Sequence, residues 1–277
     1  MAVTMTDQLL DDLLASLEMG RAVALVVVVK ATGSYAPALG RRALVWLDEV
    51  SSNDLDLGAI GVRILMEARQ RLSERKPQLL TYQEANGLIE VFVEVQRRPP
   101  TLLIVGAGHV AQPLAQLGKL INFEVVVLDD RPQYANRKRF PLADRVLAQP
   151  FRETLQNWPI DNDTYIVLVT RGHSHDVEAL LEVINSPARY IGMIGSKRRV
   201  KGVFELLEKD ASRGIEPSKF NRVYAPIGLD IGAESPAEIA VGIIAEIINV
   251  YRGGRAVSLS DALRTDRRLS LHPGRKI

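Results

Sequence analysis

The sequence predicts an α/β protein in two parts, a smaller α+β N-terminal domain followed by a doubly wound parallel sheet. Three observations carry that expectation. From Thr101 to Asp130 the chain reads as strand, glycine turn, helix, second strand and terminal acid. Beyond it, short apolar runs keep alternating with helical patterns, the order of a parallel sheet covered on both faces. Before it, Arg97-Arg98-Pro99-Pro100 sets charge beside two prolines that neither donate a ladder bond nor continue a helix, which marks a boundary.

The elements follow in order. Leu9, Leu10, Leu13, Leu14 and Leu17 have the spacing of one buried helical face, ended by Gly20. Residues 22–29 read as a buried strand, Gly33-Ser34 and 37–40 as a loop, and 43–47 as another strand. A polar turn over 51–56 leads to Gly58 and Gly61; residues 62–72 have helical spacing, Pro77 closes them, and 88–95 alternate as a strand. After the boundary, strands are expected at 102–105, 125–128, 145–148, 165–169, 190–194 and 222–225. The last helix has the clearest start, with Ser235 as N-cap, Pro236 at the first helical position and Glu238 completing a capping box. It is expected to reach about Val250, before Gly253-Gly254. The domains are therefore read as 1–98, 99–254 and a basic tail, 255–277.

Composition limits the function classes. A chain of 277 residues can hold two ordinary domains, each with its own core. A formal net charge of +2 argues against a nucleic-acid surface spread over the fold. The tail concentrates Arg264, Arg267, Arg268, Arg275 and Lys276, which reads as a solvated end or as a docking segment for an acidic partner. The longest apolar run, 22–29, is too short to cross a bilayer, and Asp7, Asp11 and Asp12 precede it, unlike a signal peptide. A cytoplasmic protein without a membrane partner is expected. There are no cysteines, which excludes disulfides, thiolate metal sites and cysteine nucleophiles.

The chemistry centres on Gly106-Ala107-Gly108. Gly106 permits the tight turn, Gly108 leaves the first-turn amides open to a pyrophosphate, and Ala111 stands where a third glycine would let helix and strand pack closely. The helix start, including the His109 backbone amide, favours an anion. Asp129 and Asp130 end the next strand, where a carboxylate would accept bonds from ribose hydroxyls. Arg131 follows and could favour a 2′-phosphate, so NAD is preferred over NADP without excluding it. The bland alternative is the same fold with no dinucleotide.

Three further loops lie beyond strand ends, where open α/β sheets bind ligands. Thr170-Arg171-Gly172-His173-Ser174-His175-Asp176 holds two of only four histidines. His173 and His175 are candidate acid/base or phosphate-contacting residues, while Asp176 is read as capping the helix beginning there. No clear third ligand supports a metal site. Ser196 could cap the next helix while Lys197 and Arg198 neutralise an anion, or the turn is simply solvated. Asp230 and Glu234 offer carboxylates near the same rim, or organise their own turn.

The stretches VGAGHVA, DDRPQYANRKRFP, VTRGHSHD, YIGMIGSKRR and APIGLDIGAESPAEIAVGIIAEI together resemble, in order and spacing, the Rossmann domain of the XdhC/CoxI family. Gly33-Ser34, Pro37, Gly40 and GLIEVFVE extend the resemblance toward the N-terminus. It implies an accessory factor for xanthine dehydrogenase and related molybdenum hydroxylases, one that binds molybdenum cofactor, protects it during sulfuration and delivers it. A molybdenum hydroxylase and a cysteine desulfurase are the implied partners; a homodimer is expected separately, because twofold dimers are the commonest assembly of such domains. The family's N-terminal cysteine elements correspond to Gly58-Ala59-Ile60-Gly61-Val62-Arg63 and Ala85-Asn86-Gly87, which carry no sulfur here. The cofactor-binding set is then Gly106, Gly108, His109, Ala111, Asp129, Asp130, Arg171, His173, Ser196, Lys197 and Asp230, with molybdenum cofactor or NAD(P) as ligand. An NAD(P)-dependent oxidoreductase using His173 or His175, and a docking protein without cofactor, remain the alternatives.

Overall fold

The computed structural model describes residues 5–48, 50–51, 55–209 and 217–260. The chain divides into two compact units, Met1–Arg98 and Pro99–Ile277.

In the first unit α1 (Met5–Glu18) leads to β1 (Val23–Ala31), a 3-10 turn over Gly33–Ala38, β2 (Arg42–Val45) and β3 (Val50–Ser51). Then come α2 (Gly58–Glu74), β4 (Gln78–Glu84) and β5 (Gly87–Gln96). The five strands form an antiparallel sheet in the order β3-β2-β1-β5-β4. Period-two alternation divides its side chains. Ala24, Val26 and Val28 pack with Ile60, Ile64, Ala68 and Leu72 of α2, while Val23, Leu44 and Trp46 pack with Leu9 of α1 on the other face. β4 is a strand that the sequence pattern does not predict. It pairs with β5 in the register Leu80↔Val91 and Tyr82↔Ile89, through a turn at Ala85-Asn86. That turn meets the loop after β1: Ser34 N–H donates to the Asn86 carbonyl at 2.9 Å, and a Cβ at Gly33 would lie 2.1 Å from the same oxygen. Only glycine at 33 lets the two backbones approach so closely.

The second unit contains β6 (Thr101–Val105), α3 (Ala111–Leu120), β7 (Glu124–Asp129), β8 (Arg145–Ala148) and α4 (Phe151–Asn157). It continues through β9 (Thr164–Leu168), α5 (His173–Val183), β10 (Tyr190–Met193), α6 (Lys197–Lys209), β11 (Val223–Tyr224) and α7 (Pro236–Arg252). All six strands are parallel, in the order β11-β10-β9-β6-β7-β8. The chain winds outward from β6 in one direction and from β9 in the other, so the switch point lies between those two strands.

Successive residues of β6 serve opposite cores. Leu102 and Ile104 pack with Leu114 of α3 and Ile243 of α7; Leu103 and Val105 pack with Leu155 of α4, Leu180 of α5 and Val203 of α6. The doubly wound expectation holds. Gly118 gives α3 its close seat, since a Cβ there would fall 2.6 Å from Leu102 Cδ2. β11 is shorter than expected because Arg222 belongs to the preceding 3-10 turn, Pro217–Arg222, and its side chain donates to the Ile184, Ser186 and Ala188 carbonyls at 3.1, 2.7 and 2.6 Å. The Ser235–Glu238 capping box is present, and α7 stops at Gly253, which takes φ 68°.

Candidate functional site

The site is built at the carboxyl end of β6. Gly106 takes φ +107°, and a Cβ there would lie 2.4 Å from the Val169 carbonyl oxygen, so both conformation and space require glycine. Its N–H donates to the Leu128 carbonyl at 2.7 Å, tying the turn to β7. Gly108 differs. A Cβ there would meet nothing within 4 Å, so its bare α-carbon faces open space. Among the described residues, no carbonyl accepts from the Gly108, His109 or Val110 N–H, and α3 begins without a side-chain cap or an acid in its first turn. Unpaired amides at a helix start bind anions. The His109 side chain is exposed and Ala111 is buried under the helix.

Asp129 is only 1% exposed and its carboxylate is fully engaged within the protein. One oxygen accepts from the Arg131 backbone N–H at 3.0 Å and Nε at 2.9 Å; the other accepts from the Ala107 N–H at 2.8 Å and Arg131 Nη2 at 3.1 Å. Four donors use the roughly four lone-pair sites that a carboxylate has. Burial would raise this carboxyl, but the Arg131 side chain and the Ala107 and Arg131 amides outweigh it and hold it below its ordinary value. The Arg131 guanidinium also lies 3.8 Å from the Tyr134 ring centroid. Arg139 backs the turn from below, donating to the Ala107 carbonyl at 3.1 Å.

Asp130 is arranged differently. Its Oδ2 accepts from Arg171 Nη2 at 3.0 Å, and its Oδ1 has no hydrogen-bond partner among the described residues, although Arg131 Nε is 3.9 Å away. β6 lies between β7 and β9, so the Asp130–Arg171 pair crosses the carboxyl end of β6. Arg171 Nε donates to His175 Nε2 at 3.2 Å, and His175 Nδ1 lies 3.8 Å from Glu178. These contacts link β7, the loop after β9 and the first turn of α5.

Asp176 is not the cap that the sequence suggested. Gly172 occupies that position without a side-chain bond, and Asp176 sits buried inside the first turn, accepting from the Thr170 hydroxyl. The side chains of His173 and Lys197 lie outside the described residues, as do the tail cations beyond residue 260 and part of the 51–56 turn. Ser196 and Asp230 are exposed and follow β10 and β11. β10 and β11 are the second and third strands from β6 in the sheet. Sequence reasoning missed Glu246, which accepts from the Tyr190 hydroxyl and from the Gly228 N–H at 3.0 Å and so fixes the loop bearing Asp230 to α7. A separate surface cavity of about 390 Å³ lies beside edge strand β8, where Arg145 stacks on Trp158.

Residues 102–247 match the family model described as XdhC Rossmann domain, and residues 16–83 match that of the XdhC and CoxI family. The chain belongs to the XdhC/CoxI family. It is 30% identical over 239 residues to the uncharacterized protein YqeB of Escherichia coli K12, covering 82% of this chain and 43% of that protein. It is 34% identical over 162 residues to a probable xanthine dehydrogenase subunit of Bacillus subtilis 168, covering 58% of this chain and 46% of that protein. The XdhC-family chain thus spans about half the length of the curated relatives it matches. A crystal structure described as a xanthine dehydrogenase from Bacillus halodurans shares the fold, with TM-score 0.51 and 20% identity over 90% of this chain and 97% of that one. Among the described residues no helix is long and apolar enough to cross a membrane, and no three His, Asp or Glu side chains are grouped to hold a metal.

Proposed function

We propose that this XdhC-family chain is an accessory factor for a molybdenum hydroxylase of the xanthine dehydrogenase type, and that its crevice binds a phosphate-bearing, nucleotide-like ligand. The observation that carries the ligand class is the turn after β6, where among the described residues no carbonyl accepts from the Gly108, His109 or Val110 N–H and a side chain at 108 would meet open space. Asp130 directly follows β7 beside it, the position from which a Rossmann acid reaches a ribose. The partner class rests on family membership and on the name of the Bacillus subtilis relative.

The residues fit the phosphate and ribose portions of a dinucleotide, or the phosphate of a pterin cofactor. They do not fit thiolate ligation of molybdenum, because the chain has no cysteine. The amides of Gly108 to Val110 would hold the phosphates and Asp130 would orient the sugar. A molybdenum cofactor would supply its redox chemistry in the hydroxylase and be carried here without turnover. A cytoplasmic location, a homodimeric state and a cysteine desulfurase as second partner belong to the same proposal.

Calorimetric titration with NAD, NADP, ADP-ribose and isolated molybdenum cofactor tests it. Gly108→Asp should weaken whichever ligand binds by at least about tenfold, because the new carboxylate would sit among amides arranged for an anion. The fold should survive, since a side chain at 108 meets open space. Unchanged affinities in the variant would remove the crevice assignment. Normal cofactor loading of the hydroxylase in a deletion strain would remove the accessory role. Hydride transfer through His175 would instead appear as a substrate-dependent absorbance change at the nicotinamide band.

A further inference from the structure

We infer that the outer face of α7 is the surface through which two copies of this chain meet, with their α7 helices antiparallel across a twofold axis near Ala245. The inference rests on the homodimeric state proposed above and deepens it by naming the surface; it does not depend on the crevice ligand. The inner face of α7 is accounted for, since Ala240, Ile243, Ile244 and Ile247 pack in the core with α3 and β6. A helix lying on a sheet ordinarily turns charged side chains to water on its other face. The outer face of α7 does not. Ala237, Val241, Ala245, Ile248 and Arg252 follow one another at intervals of three or four, so they form one stripe along the helix. Val241 is 47% and Ile248 37% exposed, and the loop before α7 adds Ile231, 52% exposed, whose Cδ1 lies 3.7 Å from where a Cβ on Gly242 would stand.

Charge decides the occupant. The charged residues of α7 are Glu238, Glu246 and Arg252, and Glu246 is turned inward to the Tyr190 hydroxyl and the Gly228 amide. Between Glu238 and Arg252 the stripe is therefore uncharged, with an acid at one end and a base at the other. Antiparallel pairing about Ala245 sets Val241 against Ile248 of the second copy. The two small Ala245 side chains then meet near the axis, where they let the helices approach to about 8 Å. The same pairing brings Arg252 opposite position 237 of the second copy, within one turn of its Glu234 and Glu238. Arg252 is exposed and forms no ion pair among the described residues, its guanidinium resting 4.5 Å from the Tyr251 ring centroid; exposed Glu234 likewise forms none. Twofold symmetry makes each end complementary to the other copy's opposite end, so both charge pairs form at once. A parallel pairing would instead set Arg252 against Arg252.

Sedimentation equilibrium of the full chain, with thermal unfolding measured on each variant, tests this surface. Wild type should dimerise, and Val241→Glu should weaken the dimer at least about tenfold while remaining folded, because that side chain already faces water. Arg252→Glu should weaken it as well, and adding Glu234→Arg should restore it. The chain has no cysteine of its own, so single thiols report proximity directly. Ala245→Cys should form a disulfide-linked dimer on mild oxidation, and Leu79→Cys, exposed on β4 of the other unit, should not. A wild-type dimer that Val241→Glu leaves intact, or that Leu79→Cys links in preference to Ala245→Cys, overturns this inference while the homodimer stands. Wild type that stays monomeric to about 100 µM overturns both and leaves the face to a different protein.

Discussion

At the scale of single residues, Asp129 offers a measurement that separates an internal clamp on Arg131 and Ala107 from a ligand contact. Asp129→Asn leaves Arg131 without its carboxylate and points an amide at donors, so we expect a loss of about 3 kcal/mol in urea unfolding at pH 7. The depressed carboxyl also sets a pH dependence. A group whose folded pKa lies below its ordinary value contributes stability that is complete above that ordinary value and disappears as pH falls through the folded one. The gap between wild type and Asp129→Asn should therefore be full at neutral pH and close progressively below about pH 4. A gap that instead widened in acid would contradict the clamp. Asp129 also shows what a sequence hides. Its place at the end of β7 is legible, but its use is not, because its partner Ala107 is 22 positions away and a carboxylate at a strand end looks ligand-facing in one dimension.

Elements raise the same question about distance along the chain. Most strands and the α7 start are legible, because apolar alternation and the Ser235 capping box are local signals. β4 escapes notice although Asn86-Gly87 is the dipeptide that most strongly marks a hairpin, since Pro77 reads as closing a helix with a loop beyond it. Glu246 is hidden for another reason. It sits in the otherwise apolar run of α7, and its Tyr190 partner is 56 residues away, so no local pattern could announce it. Burial and Glu246 together push the Tyr190 hydroxyl well above its ordinary value, which keeps it a donor at every accessible pH. Glu246→Leu should leave that hydroxyl and the Gly228 amide unsatisfied, destabilising by about 1–3 kcal/mol. Hydrogen exchange at Gly228 should quicken at the same time, and protection equal to wild type would show that the loop does not depend on the carboxylate.

Across the whole molecule, the cores keep to their own units. Every buried member of the two cores beside the parallel sheet lies between Leu102 and Ile247, and every member of the other two lies between Leu9 and Val93. A fragment of residues 99–260 should therefore unfold cooperatively by itself and bind the crevice ligand within about threefold of the intact chain, a difference of about 0.7 kcal/mol. Loss of a cooperative transition in that fragment would mean that the first unit supplies stability which the packing does not reveal.

The strand orders carry a consequence for how molecules meet one another. Among the described residues three of the four outer strands are short, with two residues in β3, two in β11 and four in β8, and offer little backbone to a neighbour. β4 has seven residues, pairs among the described residues with β5 alone, and exposes Leu79. Its outward amides should exchange with solvent while the alternate ones are protected. Any association by strand addition, in concentrated solution or during heating, should begin there, and a Lys at Leu79 should delay it.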